Sequence, residues 1–329
     1  MSQSFNRRRF LQITTTATLL SATSSYQVSA AEQQQQLYRW QGVALGGQAE
    51  ILLPAGSNSN LIGNEVISEL KRLEGIFSLY DPTSEVSQLN RTGVVKNPSP
   101  ELVELLEKSK QLSDLTNGAF DITVQPLWEL HSSNSGYSQA QLLKLEQSIR
   151  GLLGYQNLNI SNEKISFDKG GMAITLNGIA QGYITDKITQ LLSNHGFTDS
   201  LINIGEIKAL GQHPDGRNWK VAIADTSSTN KAIQSQPNSV SLNDGQAIAT
   251  SSYLGTTISD GTPHLLNPLT HEDEYRYQTM SVIAPDATTS DALSTGFSFM
   301  SIENIRDIVN TQPNLNIYAV DKTGRTYRV

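Results

Sequence analysis

The sequence predicts an α+β fold with mixed or antiparallel sheets and a few long helices, and three observations carry that expectation. Apolar residues recur at helical spacing in two long stretches. Strand-like segments come as hairpins and meanders, without the regular alternation of βαβ units. The Gly-x-Gly-x-x-Gly, Walker A and Gly-x-Ser-x-Gly signatures of common dinucleotide and hydrolase folds are absent from the 329 residues.

The chain opens on Arg7-Arg8-Arg9-Phe10-Leu11, an uncharged Thr/Leu/Ala-rich run from Ile13 to about Leu20, and small residues leading to Val28-Ser29-Ala30. A charged start, a modest apolar run and a small-residue cleavage site describe a signal peptide over 1–30. The twin arginine followed by x-Phe-Leu is a Tat address, which predicts export and a soluble periplasmic or extracytoplasmic protein. Residues 31–38 read as a polar linker with four consecutive glutamines, and 39–329 as one domain.

Within that domain Val43–Leu53 alternates as a strand does, and 54–60 reads as a turn. Val66, Ile67, Leu70, Leu73, Ile76 and Phe77 mark a helix over 64–80. Leu102, Leu105, Leu106 and Leu112 mark a second over 100–116. Asn117–Leu127 carries a motif that runs from a helix end into a strand, and 132–136 is a loop. Segments 164–167 and 172–176 read as a hairpin, followed by a helix over 177–194 with Asn177 as N-cap. Strands are expected at 200–204, 219–224, 239–242, 280–284 and 315–320, a surface loop at 226–238, and a helix from near Ser290.

Composition narrows the chemistry. Net charge is −7, and removing residues 1–30 leaves 21 basic and 31 acidic side chains, a balance of −10. Nucleic acid is therefore a poor partner, since phosphate neutralisation needs a concentrated basic face. A polyanionic ligand would instead need a metal ion or clustered backbone N–H groups. There are no cysteines, which excludes disulfides, thiolate catalysis and cysteine metal sites. The five histidines (His131, His195, His213, His264 and His271) lack metal-ligand spacing, so zinc chemistry is not expected.

Four segments ask for more than packing. In Asn117-Gly118-Ala119-Phe120-Asp121, small residues admit a ligand to the backbone and Asp121 accepts a hydrogen bond, although a glycine helix stop explains the same residues. In Asn177-Gly178-Ile179-Ala180-Gln181-Gly182-Tyr183, a helix N-terminus suits a phosphate, while close packing explains the glycines equally well. Asp291 and Thr295 stand one helical turn apart, so a carboxylate and a hydroxyl converge as hard oxygen ligands for Mg²⁺. The competing account is an acid favoured by the helix dipole in a first turn. His264 lies among turn residues, and the default for any one histidine is a structural role.

Taken in order, these blocks resemble the ApbE family of FAD:protein FMN transferases. The residues that carry the resemblance are Leu45-Gly46-Gly47; Ser78-Leu79-Tyr80 with Glu85 to Asn90; Gly118 to Val124; Ile174 to Tyr183; Asn203-Ile204-Gly205-Glu206; Ala249-Thr250-Ser251-Ser252; His264 to Pro268; and Ser290 to Thr295. The resemblance implies an ApbE-like fold with two lobes around an FAD cleft. It implies Mg²⁺ on Asp291, Thr295 and a backbone carbonyl near Gly178. FAD would lie against Leu45, Tyr80, Ala119, Phe120, Asp121, Thr175, Gln181 and His264. The implied activity is Mg²⁺-dependent transfer of FMN from FAD to a Thr or Ser hydroxyl of an acceptor protein, expected to be an exported or membrane electron-transfer subunit, with AMP leaving. His264 is the candidate base for the hydroxyl proton, because an ordinary imidazole titrates near neutrality. Four positions depart from the family pattern: Thr175 and Asn267 stand for Asp, Gln181 for a charged residue and Glu206 for Gly. A non-catalytic FAD-binding protein and an FAD pyrophosphatase are the alternative readings.

Overall fold

The computed structural model describes residues 37–44, 47–56, 62–133, 136–223, 238–253, 257–258, 263–270 and 275–329. The signal-like residues 1–30, Leu45, His271 and most of the 226–238 loop lie outside the described residues. Among the described residues no helix is long and apolar enough to cross a membrane.

An eight-stranded sheet forms the frame, in the order β1-β2-β6-β7-β10-β11-β12-β13, with every neighbouring pair antiparallel. Its strands are β1 (Leu37–Ala44), β2 (Gly47–Pro54), β6 (Ser200–Asn203), β7 (Ile207–Leu210), β10 (Ala247–Ser252), β11 (Tyr277–Ala284), β12 (Asn316–Asp321) and β13 (Thr326–Arg328). Side chains alternate across a strand, and here both faces are covered. Ile51, Leu53, Ile202, Met280 and Val282 face the main core. Leu52, Leu201 and Ile283 face the hairpin of β8 (Trp219–Ile223) and β9 (Asn238–Leu242), which packs on the other side.

The main core is completed by α1 (Ile62–Phe77), α2 (Glu85–Thr92), α3 (Pro100–Leu115), α6 (Ala180–Asn194) and α7 (Ala287–Phe297). The short strands β3 (Val94–Lys96), β4 (Leu158–Ile160) and β5 (Lys164–Phe167) make a small separate sheet. Helices α4 (Gln125–Ser132) and α5 (Gln139–Arg150) carry a third apolar cluster, in which Leu127 meets Ile258 and Leu266. Helix α8 (Ile302–Thr311) packs Ile305 into the main core.

The α+β expectation holds, and the differences have local causes. The alternating run 43–53 is not one strand but the turn of a hairpin, with Ala44 paired to Gly47. The strand expected after Asp121 is a 3₁₀ turn (Ile122–Val124) leading into α4, because Asp121 caps it by accepting from the Thr123 N–H at 2.8 Å. Segment 172–176 does not pair with 164–167, whose neighbours are β3 and β4. It is held instead by Asn90, whose amide donates to the Ile174 carbonyl and accepts from the Ile174 N–H, both at 2.8 Å. Helix α6 starts at Ala180 and not at Asn177, with a turn before it.

Candidate active site

Helix α7 is the centre of the site. Its first-turn N–H groups are already satisfied: Asp286 accepts from the Thr289 N–H at 2.6 Å. Asp186 of α6 accepts from the N–H groups of Ala287 and Thr288 at 3.0 and 2.9 Å. Lys208 neutralises Asp186 at 2.7 Å. Asp291 therefore sits beyond the first turn, and dipole stabilisation does not account for it. The helix begins at Ala287, earlier than the Ser290 start expected from sequence, because Asp286 is its N-cap.

Every residue of α7 is buried except Thr295, which is partly exposed and gives this helix its access to solvent. Asp291 is 5% exposed and its carboxylate accepts from the Gly182 N–H at 3.0 Å. Two glycines allow that approach. A Cβ on Gly182 would lie 2.2 Å from the Ala287 carbonyl oxygen, and one on Gly178 would lie 2.9 Å from Thr295 Oγ1. The Gly-x-x-x-Gly spacing is thus the device that seats the start of α6 against α7. We expect Gly182→Ala to destabilise the fold by about 1–3 kcal/mol, the usual range for overpacking, since the obstacle is backbone. An unchanged Tm would show that the close approach is not needed.

The turn between β6 and β7 supplies the other half. Gly205 takes φ +90°, a backbone open to glycine, and the turn sends Glu206 inward, where it is 6% exposed. A Cβ on Gly205 would also strike Gln181, 2.5 Å from its Nε2, so Gln181 lies directly on this turn. Burial pushes the Glu206 carboxyl well above its ordinary range, and the negative charge of Asp291 pushes it further. Burial raises Asp291 as well. From β10, Ser251 Oγ lies 2.7 Å from Ser294 Oγ and 3.4 Å from Thr295 Oγ1. The result is a cluster of hard oxygens: two carboxylates, hydroxyls and backbone.

These donors fit a hard cation. No salt bridge reaches Asp291 or Glu206 among the described residues, although both are buried, and one Glu206 oxygen has no hydrogen-bond partner. An isolated buried carboxylate is costly, and a divalent ion would offset that cost. Among the described residues no group of three or more His, Asp or Glu side chains could hold a metal. A bound ion would therefore rely on one or two carboxylates with neutral oxygens, a set that suits Mg²⁺ and not zinc.

Thr175, Ala119, Phe120 and Asp121 lie on two motifs that adjoin this cluster. The Thr175 N–H donates to the Ile122 carbonyl at 2.8 Å, joining the 174–183 and 118–124 motifs. Ala119 and Phe120 are buried, and Phe120 packs on Gly296 of α7, where an added Cβ would lie 2.9 Å from Phe120 Cβ. Asp121 spends one oxygen on the Thr123 N–H and hydroxyl and the other on the Tyr155 N–H. Its place in the fold is thus that of a cap and a tie between loops. Tyr80 is half exposed in the turn that follows α1.

His264 is partly buried beside the bridge between Thr257 and Pro263. Its loop is clamped by Arg150 of α5, which donates to the carbonyls of Asn267 and Pro268 at 3.0 and 3.2 Å. Leu269 of the same loop reaches Gly118, 3.4 Å from where a Cβ would stand, which places the His264 loop next to the 117–121 segment. His195 and His213 are engaged elsewhere, with Glu65 at 2.7 Å and Asp215 at 3.0 Å. Sequence reasoning missed one member of this framework, Asp186, and gave Asn90 no role, because each acts on residues more than eighty positions away.

The ApbE family model matches residues 36–319. An FAD:protein FMN transferase of Escherichia coli K12 is 26% identical over 278 residues, covering 80% of this chain and 78% of that one. One from Chlamydia pneumoniae is 30% identical over 234 residues, covering 68% and 71%. The flavin transferase ApbE from Vibrio cholerae superimposes with a TM-score of 0.78 at 23% identity, covering 89% of this chain and 96% of that one, a likeness of fold. The ApbE protein of Thermotoga maritima superimposes with a TM-score of 0.76 at 26% identity, covering 89% and 97%.

Proposed function

The chain belongs to the ApbE family, and from that membership we propose that it is a flavin transferase moving FMN from FAD onto a Thr or Ser hydroxyl of an acceptor protein. The observation that carries this reading within the chain is the buried carboxylate of Asp291, which joins no salt bridge among the described residues, one helical turn from the partly exposed Thr295. A site for transfer from a dinucleotide must neutralise phosphate charge, and the chain's net charge of −7 makes a metal ion the natural means of doing so.

Asp291, Thr295 and the backbone at Gly178 are the residues that would hold Mg²⁺, which when bound supplies neutralisation of the charge that develops on the phosphoryl oxygens. Glycines 178 and 182 fix these oxygens relative to one another by fixing α6 on α7. In the transfer itself the acceptor hydroxyl oxygen bonds to the FMN phosphorus and the pyrophosphate P–O bond breaks. AMP leaves with the electron pair. The hydroxyl proton goes to His264, whose loop is anchored by Arg150 so that the imidazole is presented from a fixed support. The flavin nucleotide lies along Leu45, Tyr80, Ala119 to Asp121, Thr175 and Gln181 in this reading.

Incubation with FAD, Mg²⁺ and candidate acceptor proteins, read by mass spectrometry, tests the proposal. Covalent FMN on the acceptor together with AMP supports it. Free FMN with AMP would indicate a pyrophosphatase, and intact bound FAD a binding protein. Chelation by EDTA is expected to stop transfer and added Mg²⁺ to restore it.

We also propose Tat-dependent export of this protein, on the basis of Arg7 to Leu11 and the small-residue stretch ending at Ala30. Replacing Arg7, Arg8 and Arg9 together by lysine is expected to leave the protein in the cytoplasm, as fractionation would show. Unchanged export would rule out the Tat address.

A further inference from the structure

We propose that Glu206 is a second carboxylate ligand of the divalent cation held by Asp291 and Thr295. The inference rests on the metal site of the preceding section and adds to it a residue at which the family pattern carries glycine.

Glu206 occupies a position where nothing local calls for a carboxylate. It closes a three-residue hairpin turn, Ile204-Gly205-Glu206, whose unusual backbone is supplied by Gly205 at φ +90°. A glutamate at such a turn ordinarily extends into water, since desolvating the charge is costly. Here it points inward and is 6% exposed. The Thr250 backbone N–H lies near its carboxylate and favours the charged form. Oε2 has no hydrogen-bond partner among the described residues.

The surroundings make a second anion unwelcome unless a cation joins it. Asp291 is close enough for its charge to act on Glu206, and no lysine or arginine among the described residues forms a salt bridge with either. Lys208, on the strand that follows Glu206, is committed to Asp186 at 2.7 Å. Thr250, whose backbone N–H lies near the Glu206 carboxylate, is followed by Ser251, which touches Ser294 and Thr295. Glu206 therefore joins, from the β6–β7 turn, the same cluster of oxygens to which Asp291 and Thr295 contribute from α7. Two carboxylates balance the charge of one divalent ion, and Mg²⁺ accepts one or two such ligands with neutral oxygens completing its shell.

The rival account is that Glu206 stays protonated and shares its proton with Asp291, with no part in metal binding. Glu206→Gln separates the two, because it copies the neutral, protonated form. The full chain, freed of metal by chelation and without FAD, is titrated with Mn²⁺ and free Mn²⁺ is followed by electron paramagnetic resonance. The wild-type chain is expected to bind one Mn²⁺, and Glu206→Gln to weaken Kd by at least about tenfold. In thermal melts Mg²⁺ should raise the Tm of the wild type more than that of the variant, since a ligand stabilises the state it binds. Metal-free Glu206→Gln should melt no lower than the wild type, one of two mutually repelling carboxylates having been removed. Should Gln not be accommodated, Glu206→Gly removes the side chain from a turn already built for small residues, and the same loss of affinity is expected.

An unchanged Mn²⁺ Kd in either folded variant would overturn the inference, as would absence of Mn²⁺ binding by the wild type without FAD. Its failure is distinguishable from failure of the functional reading. A chain that binds Mn²⁺ through Glu206 and transfers no FMN keeps this ligand and loses the transferase. A chain that transfers FMN while Glu206→Gln binds Mn²⁺ normally does the reverse.

Discussion

Asp291→Asn is expected to lower FMN transfer by at least about 10³-fold, equivalent to about 4 kcal/mol of transition-state stabilisation, while the protein remains folded. The carboxylate is buried at 5% exposure and joins no salt bridge among the described residues, so its charge does not hold the fold together. The asparagine is nearly isosteric and its carbonyl can still accept from the Gly182 N–H, the one hydrogen bond to this carboxylate that fixes α6 on α7. Asp291→Ala should remove activity equally and cost more stability, because that N–H loses its acceptor, worth about 1 kcal/mol, and a small void is left. Transfer rates, Mn²⁺ binding and thermal melts on both variants check this. Near-normal transfer by Asp291→Asn in the presence of chelator would remove the metal site from the mechanism.

His264→Ala is expected to slow transfer by about 10²–10⁴-fold at saturating FAD, the range for loss of a positioned general base. FAD affinity should change far less. The sign of the pH effect follows from the chemistry: only neutral imidazole can take the hydroxyl proton, so the wild-type rate should fall as pH drops through the range where imidazole becomes protonated. The variant should lack that fall. If His264 instead holds the flavin or its ribityl chain, the variant should bind FAD weakly and recover its rate at saturation. Single-turnover rates from pH 5 to 8 for both proteins separate these outcomes. The clamp by Arg150 adds a readout of its own, since loosening the loop through Arg150→Ala should lower the rate without changing the shape of the pH profile.

Most of the fold class was legible in the sequence, for a physical reason. Amphipathic period and turn chemistry are local properties, so α1, α3, α6 and the strands near 200, 219, 280 and 316 could be read from spacing alone. The pairing of Asp291 with Thr295 was equally local, being one turn of a single helix. Order of motifs along the chain was enough to suggest the family. What sequence could not settle was any choice between two local accounts of the same residues. The glycines at 178 and 182 suited a phosphate or close packing until Ala287 and Thr295 were found lying where their Cβ atoms would be. Asp121 suited a strand start until its oxygens were found capping a 3₁₀ turn and holding Tyr155. Asp291 could have been a first-turn acid until Asp286 and Asp186 were seen to occupy the helix N-terminus. Glu206 looked from sequence like a plain departure from a glycine. Its burial beside Asp291 follows from the inward turn of β6 into β7 and from the packing of α6 and α7 around it. Such contacts join residues dozens of positions apart, and no periodicity within one segment records them. Local pattern determined which elements form, and the tertiary structure alone decided which of their polar atoms end with partners and which are left for a ligand.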